Sequence, residues 1–203
     1  MQDLNKITLE ARKAYRFLFQ YQQRILDLMS FIGGSFNLKY AGGFSKFSNA
    51  TPRDGRGKLE NWAWDWLNMY FYEFHFQYND NVKFSAFIVN DTGYYDSECA
   101  EESRKRLDVE DFEKVERSNT TLIFVAAKDM WGSPKEWGNW QSQEFLNTEH
   151  LVAKQEGGTG VMISKIYSLN SFATEQDAID SLKDFSSYCC RYDIPIKYQE
   201  RKL

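Results

Sequence analysis

A glutamate and a histidine two positions apart carry the first chemistry that the sequence offers. Glu73 and His75 lie in LNMYFYEFHFQY, residues 67–78, where two sets of side chains alternate as they do along a strand. Side chains at positions i and i+2 of a strand share a face. The pair is therefore suited to bind one metal ion or to act as an acid and a base. The alternative is that both residues simply mark the more solvated face of the sheet.

A metal site needs at least one further ligand, and the carboxylates after this segment are the candidates. Asp91 precedes the stretch TGYYDSEC, residues 92–99, which contains Asp96 and Glu98. Paired carboxylates hold Mg²⁺ in hydrolases and nucleases. The following residues, EESRKR, are instead typical of a solvated face of mixed charge. The chain has only two histidines, which disfavours a histidine-rich metal centre.

Three tryptophans form a candidate ligand-binding group. Trp131, Trp137 and Trp140 lie among glycines and polar residues. Indole rings next to amides and charges stack on sugars, bases or the side chains of a partner. The alternative is that the rings seal the core beneath a long loop.

A glycine-rich basic loop offers a place to bind an anion through Arg53, Arg56 and Lys58. It is not a Walker loop, because Leu59 stands where that motif needs Ser or Thr. Basic and aromatic residues alternate just before it, as in proteins that bind single-stranded nucleic acid. The chain is acidic overall, however, with a pI near 5.3. Nucleic acid is therefore a disfavoured partner.

The N-terminal segment predicts one long helix that precedes these candidates. Gly33 and Gly34 are typical of its end. At 1.5 Å per residue it would be about 45 Å long, which exceeds the diameter of a small domain. Its apolar residues recur at alternating spacings of three and four: Leu4, Ile7, Ala11, Ala14, Leu18, Tyr21, Ile25, Leu28 and Ile32.

This seven-residue repeat has two readings. It is the pattern of a coiled coil, but further apolar residues outside the repeat favour a helix buried in its own domain. Both hold if the first half of the helix is free and the second half is buried.

The middle of the chain predicts a mainly antiparallel sheet of four to six strands. Residues 67–78 and 82–89 indicate a hairpin around a turn at residues 79–81. A strongly charged insertion spans residues 93–119. The other candidate strands are residues 36–40, 120–127, 160–169 and 194–196.

Together these elements predict a single α+β domain over residues 1–203, a length that suits one core. The long helix occupies residues 1–34, the sheet region residues 35–172, and a C-terminal helix residues 173–192. Thr174 and Asp177 match a capping box at the start of that last helix. We expect the C-terminal helix to pack on one face of the sheet.

Cysteine usage and hydropathy indicate the compartment. Cys99, Cys189 and Cys190 form neither a disulfide framework nor a zinc-binding spacing. The N-terminus lacks the basic and apolar segments of a secretory signal, and no stretch approaches the roughly 20 apolar residues of a membrane span. We therefore expect a cytoplasmic protein without a membrane partner.

Charge and aromatic content bear on the partners. Residues 1–60 carry ten Lys and Arg against five Asp and Glu, whereas the remainder carries fifteen against twenty-four. Such an asymmetry is more often matched within a molecule than by a partner. Aromatic residues make up 17% of the chain, a surplus that suits a pocket or an interface.

We expect a non-catalytic binding or protein-interaction module that forms a homo-oligomer, or engages a protein partner, through the N-terminal helix. Two alternatives stay open. One is a metal-dependent hydrolase or nuclease built on Glu73, His75 and nearby carboxylates. The other is a small-molecule binder with an aromatic pocket. No cofactor is expected, apart from a divalent metal ion under the first alternative.

Overall fold

The computed structural model describes residues 3–46, 71–93, 112–130 and 148–200. These described residues form two helices and six strands, in chain order α1 (Leu4–Ser35), β1 (Lys39–Lys46), β2 (Phe71–Gln77), β3 (Val82–Val89), β4 (Thr121–Lys128), β5 (His150–Lys154), β6 (Val161–Ser168) and α2 (Glu175–Cys190). A short 3₁₀ turn, Leu169–Phe172, joins β6 to α2. The strands form one antiparallel sheet in the order β1-β2-β3-β4-β6-β5. The predicted α+β class is confirmed.

Helix α1 begins at a side-chain cap, because the Asp3 carboxylate accepts a hydrogen bond from the Asn5 N–H at 3.0 Å. It does not end at its glycines, as the sequence suggested, but at Ser35. Gly33 stays helical and lies against the Phe76 ring, where an added Cβ would be 2.7 Å from the nearest ring carbon. This glycine therefore serves close packing rather than termination.

The predicted strand at residues 36–40 is wrong, since β1 starts only at Lys39. Phe36 is the C-terminal cap of α1 and is almost fully buried. Asn37 has a φ of 52°, a left-handed conformation that Asn tolerates and that a strand does not allow. The chain consequently turns between Phe36 and Lys39 before it pairs with β2.

One hydrophobic core lies on the first face of the sheet. Phe84 of β3, Phe124 of β4 and Phe185 of α2 meet there, with ring centroids 5.1–5.8 Å apart. The second half of α1 adds Ile25, Met29 and Ile32 to the same cluster.

The C-terminal tail also enters this core. Ile194 and Ile196 are fully buried in it, although residues 194–196 are not a strand, so the predicted edge strand is wrong. Pro195 between them has no N–H to give to a neighbouring strand.

The second face of the sheet is as well buried as the first. Phe87 of β3 and Ile123, Val125 and Ala127 of β4 expose none of their surface. The central strands are therefore apolar on both sides, which explains their nearly unbroken apolar sequences. Among the described segments, no helix combines the length and the apolar character needed to cross a bilayer.

Candidate functional site

The β2–β3 hairpin brings three polar residues together on the second face. Its turn is fixed by the Asn79 side chain, whose amide oxygen accepts hydrogen bonds from the N–H groups of Asn81 and Val82. The resulting register places His75 directly opposite Ser85. Glu73 lies two positions before His75 and shares its face.

Glu73, His75 and Ser85 form a hydrogen-bonded chain. His75 Nε2 lies 2.9 Å from Glu73 Oε2, and His75 Nδ1 lies 2.6 Å from Ser85 Oγ. Glu73 is 2% exposed, His75 6% and Ser85 1%. The reading of this face as the more solvated one is therefore wrong.

The two hydrogen bonds fit one tautomer of a neutral His75 ring beside an ionised Glu73. An ionised carboxylate only accepts, so the His75 Nε2–H would then donate to Glu73. In the neutral ring, Nδ1 is then an acceptor for the Ser85 hydroxyl. A hydroxyl hydrogen-bonded to a base, with that base oriented by a carboxylate, is the general arrangement for activating a nucleophile. The roles of the two ring nitrogens are exchanged relative to those in serine proteases.

Ser85 is the member of this chain that the sequence analysis missed. The signal was present, because a hairpin centred on Asp80 pairs position 75 with position 85. The same cross-strand row continues through Val125 of β4 to Ser164 of β6. Ser164 Oγ is fully buried and has no hydrogen-bond partner within the described part of the chain.

Within the described ranges, no three His, Cys, Asp or Glu side chains are grouped to hold a metal ion. The Asp91 carboxylate instead accepts a hydrogen bond from the Gly93 N–H in its own turn. Asp96 and Glu98 lie outside the described residues.

The two other predicted binding groups also lie outside the described residues. These are the tryptophans Trp131, Trp137 and Trp140 and the basic residues Arg53, Arg56 and Lys58. Both remain predictions.

A family model matches residues 1–193, nearly the whole chain. The chain belongs to the PM0109 family. Among curated proteins and solved structures, none matches it. Membership of the PM0109 family assigns no activity, so the function has to be argued from the geometry.

The second candidate site of this PM0109-family chain is a surface of α1. The sequence repeat continues along the whole helix, but burial begins only in its second half, with Ile25 as the first buried residue. Four residues of the first half form what we term the free stripe: Leu4, Ile7, Ala11 and Ala14, all exposed.

The free stripe and the buried residues of α1 lie on the same side of the helix. Leu4 and Ala11 are separated from Ile25 and Ile32 by multiples of seven residues, which is close to two turns each. The side of α1 that packs into the core therefore continues beyond the domain as an apolar surface.

Proposed function

We propose that this chain is a non-catalytic interaction module that self-associates through the first half of α1. The observation that supports this proposal is the free stripe itself, an apolar helix face that is in line with the core and exposed to solvent. Exposed apolar surface of this extent on a soluble domain usually marks an interaction site. The seven-residue repeat is the pattern by which one helix packs against another.

A second copy of the chain is the partner that charge favours. Residues 3–19, which comprise the N-cap and the first half of α1, carry four Lys and Arg against two Asp and Glu, whereas residues 61–203 have an excess of nine negative charges. Asp27 and Glu175 line a cleft beside the second half of α1. Antiparallel pairing about a two-fold axis would place the basic end of each helix near the acidic body of its partner.

Small residues at the end of the free stripe nearest the domain fit the same geometry. Ala11 and Ala14 lie between Leu4 and Ile7 on one side and Leu18 on the other. Helix axes approach more closely where the facing side chains are small. In an antiparallel pair centred on Ala11, Leu4 of one copy would lie near Leu18 of the other.

Light scattering on Ile7→Glu and Leu9→Glu variants tests this proposal. The two residues are 46% and 44% exposed, so neither change should disturb the core. They lie about 200° apart around the helix, however, and only Ile7 is in the free stripe. We expect the wild type and Leu9→Glu to form a dimer that dissociates on dilution, and Ile7→Glu to be a monomer.

Two outcomes would overturn the proposal. One is a wild-type protein that is monomeric at every concentration. The other is an equal loss of association in both variants, since that would show that the effect comes from added charge and not from the free stripe.

We also propose a cytoplasmic location. Cys189 and Cys190 are both free thiols, although they are adjacent and Cys190 is exposed, and a reducing compartment keeps such thiols free. Maleimide labelling of the protein taken directly from cells should modify Cys190. A Cys190 already blocked by a disulfide would argue for an oxidising compartment.

A second candidate function is acyl or phosphoryl transfer at Ser85, favoured by the 2.6 Å hydrogen bond to His75. In this reaction the Ser85 oxygen would bond to the acyl carbon or the phosphorus atom as the bond from that atom to the leaving group breaks, and the Ser85 proton would move to His75 Nδ1. Glu73 would stabilise the resulting imidazolium, which then returns the proton to the leaving group. The hydrolase alternative would in this form need no metal ion.

A fluorophosphonate probe distinguishes this candidate from a purely structural hydrogen-bond chain. If Ser85 is an activated nucleophile, the probe should label the wild type and Ser164→Ala but not Ser85→Ala. Ser164 is the matched control, because it is equally buried in the same cross-strand row and its hydroxyl has no hydrogen-bond partner among the described residues. Absence of labelling in folded wild-type protein would eliminate the candidate.

A further inference from the structure

A cleft of about 320 Å³ opens where the start of β5 meets the C-terminal end of α2. Its polar lining comprises His150 of β5, Lys165 of β6, Asp184 of α2 and Arg191, and the rings of Tyr188 and Tyr192 form its wall. This volume is at the lower end of the range for small-molecule sites. The lining includes no residue of α1 or of the Glu73–His75–Ser85 chain.

Lys165 is held in place at this cleft. Its ammonium lies 2.5 Å from Asp184 Oδ2, and the Tyr167 hydroxyl donates to the same oxygen at 2.6 Å. The ammonium also lies 5.4 Å and 5.9 Å from the ring centroids of Tyr167 and Tyr188. Two donors thus satisfy one carboxylate, and an ammonium has three hydrogens to donate. The fixed Lys165 can therefore also donate to a ligand.

The cleft is positively charged within an acidic region of the chain. Lys165 and Arg191 outnumber Asp184 in its lining, and His150, whose Nε2 lies 3.9 Å from the Glu149 carboxylate, adds a further positive charge when protonated. Residues 61–203 as a whole carry nine more acidic than basic residues. A local positive cluster in a concave site attracts anions more strongly than the net charge suggests.

The C-terminal end of α2 is less unfavourable for anion binding than a helix end whose last carbonyl groups lack hydrogen-bond donors. The negative end of a helix dipole disfavours anions. Here the carbonyl oxygens of Ser187 and Tyr188 accept hydrogen bonds from the Arg191 N–H, and that of Cys189 accepts from the Tyr192 N–H. Arg191 itself follows directly after this end of α2 and lines the cleft.

We propose that this cleft binds a phosphate monoester whose organic part is a planar ring. Lys165, Arg191 and His150 would bind the phosphate, since charge-assisted hydrogen bonds to phosphate are strong and Arg binds it through two donors. The ring would pack against Tyr188 and Tyr192. The cleft has room for one ring with its phosphate group.

Calorimetric titration with phenyl phosphate, inorganic phosphate, phenol and phenylacetate tests the proposal. We expect saturable binding of phenyl phosphate that is tighter than that of each other probe, because only phenyl phosphate supplies both parts. No saturable binding of phenyl phosphate would overturn the proposal. Tighter binding of phenylacetate would also overturn it, by assigning the cleft to carboxylates.

Two variants and a control locate the binding. Arg191→Ala should weaken the affinity for phenyl phosphate about tenfold or more, as expected for loss of a hydrogen bond to a charged group. Lys165→Met should weaken the affinity by a similar factor. If Lys165→Met fails to fold, Arg191→Ala still tests the site, because Arg191 is exposed. The control is Lys183→Ala, since Lys183 lies over the Tyr198 ring and does not line this cleft. An equal loss in Lys183→Ala would contradict the site.

Discussion

Two buried serines in one cross-strand row differ in their hydrogen bonding. Ser85 Oγ lies 2.6 Å from His75 Nδ1, whereas Ser164 Oγ has no hydrogen-bond partner in the described part of the chain. A buried hydroxyl without a partner costs about 1–3 kcal/mol in desolvation, and a paired one contributes about 1 kcal/mol. The same substitution should therefore have opposite effects at the two positions.

We expect Ser164→Ala to raise the free energy of unfolding by about 1 kcal/mol and Ser85→Ala to lower it by a similar amount. Urea denaturation at neutral pH measures both changes. Each variant is the control for the other, because the atom removed and the burial are the same. A loss of stability in both variants would contradict the pairing assigned to these hydroxyls.

Asp184 couples stability to pH. Burial alone would raise its pKa, but hydrogen bonds from Lys165 and Tyr167 outweigh burial and lower the pKa below its usual value of 3.8. A lowered pKa in the folded state means that folding favours the ionised carboxylate. Its contribution to stability is then present above the pKa of the unfolded chain and is lost as pH falls through the lower folded pKa.

The variant Asp184→Asn should accordingly be less stable than the wild type at neutral pH. The difference should stay constant down to about pH 4 and shrink at lower pH, because the wild type then loses the same charge. Urea denaturation across this pH range measures it. A difference that does not change with pH would show that the charge of Asp184 contributes nothing.

Some residues of the candidate site could be predicted from the sequence and others could not. Glu73 and His75 were identified from their spacing, and Ser85 follows from the hairpin register. The position of Ser164 in the same cross-strand row could not be predicted, because β6 pairs with β4 although β5 comes between them in the chain. No local pattern in the sequence specifies that β6, and not β5, pairs with β4.

Among the secondary-structure elements, α1 has one seven-residue repeat in two environments, which are solvent in its first half and the core in its second half. Ile7 and Ile32 both belong to the repeat, yet Ile7 is 46% exposed and Ile32 is fully buried. A sequence pattern records which side of a helix is apolar, but not how far the domain extends along it. The structure shows the first half of α1 exposed and the second half buried, and pairing of the first half with another helix stays a prediction.

The matched substitutions Ile32→Ala and Ile7→Ala measure this difference. Ile32→Ala should lower the free energy of unfolding by about 2–5 kcal/mol, because it leaves a cavity in the core. At a concentration where the monomer dominates, Ile7→Ala should change it by less than about 0.5 kcal/mol. Chemical denaturation of both variants provides the comparison. Similar losses would mean that the first half of α1 packs against the domain.

Other elements were predicted to different degrees. The hairpin, β4, β6 and α2 lie within a few residues of their expected positions, because alternation, turn residues and the Thr174 cap are local signals. Strand β5 was not predicted, since its five residues are short and only partly buried. The errors at residues 36–40 and 194–196 arise from the left-handed Asn37 and from Pro195.

At the scale of the whole molecule, both faces of the sheet are buried at its centre. The C-terminal helix was expected on one face of the sheet, and burial of the other face was not predicted. The runs VKFSAFIV and TLIFVAA contained the signal, because strands buried on both faces lose the alternation of apolar and polar residues. The polar chain of Glu73, His75 and Ser85 therefore lies within an apolar layer.

Self-association through α1 makes a prediction about the whole assembly. A helix end that projects from a domain is marginally stable, because short helices without packing contacts fray in water. Its amide hydrogens should exchange quickly in the monomer and slowly in a dimer that covers the free stripe. The core half of the same helix should be protected in both states.

Amide hydrogen exchange of α1 as a function of protein concentration is the most direct test. We expect protection of residues 4–17 to rise with concentration in the wild type and in Leu9→Glu but not in Ile7→Glu, while residues 25–32 stay protected throughout. Exchange of residues 4–17 that is independent of concentration in the wild type would contradict self-association through this helix.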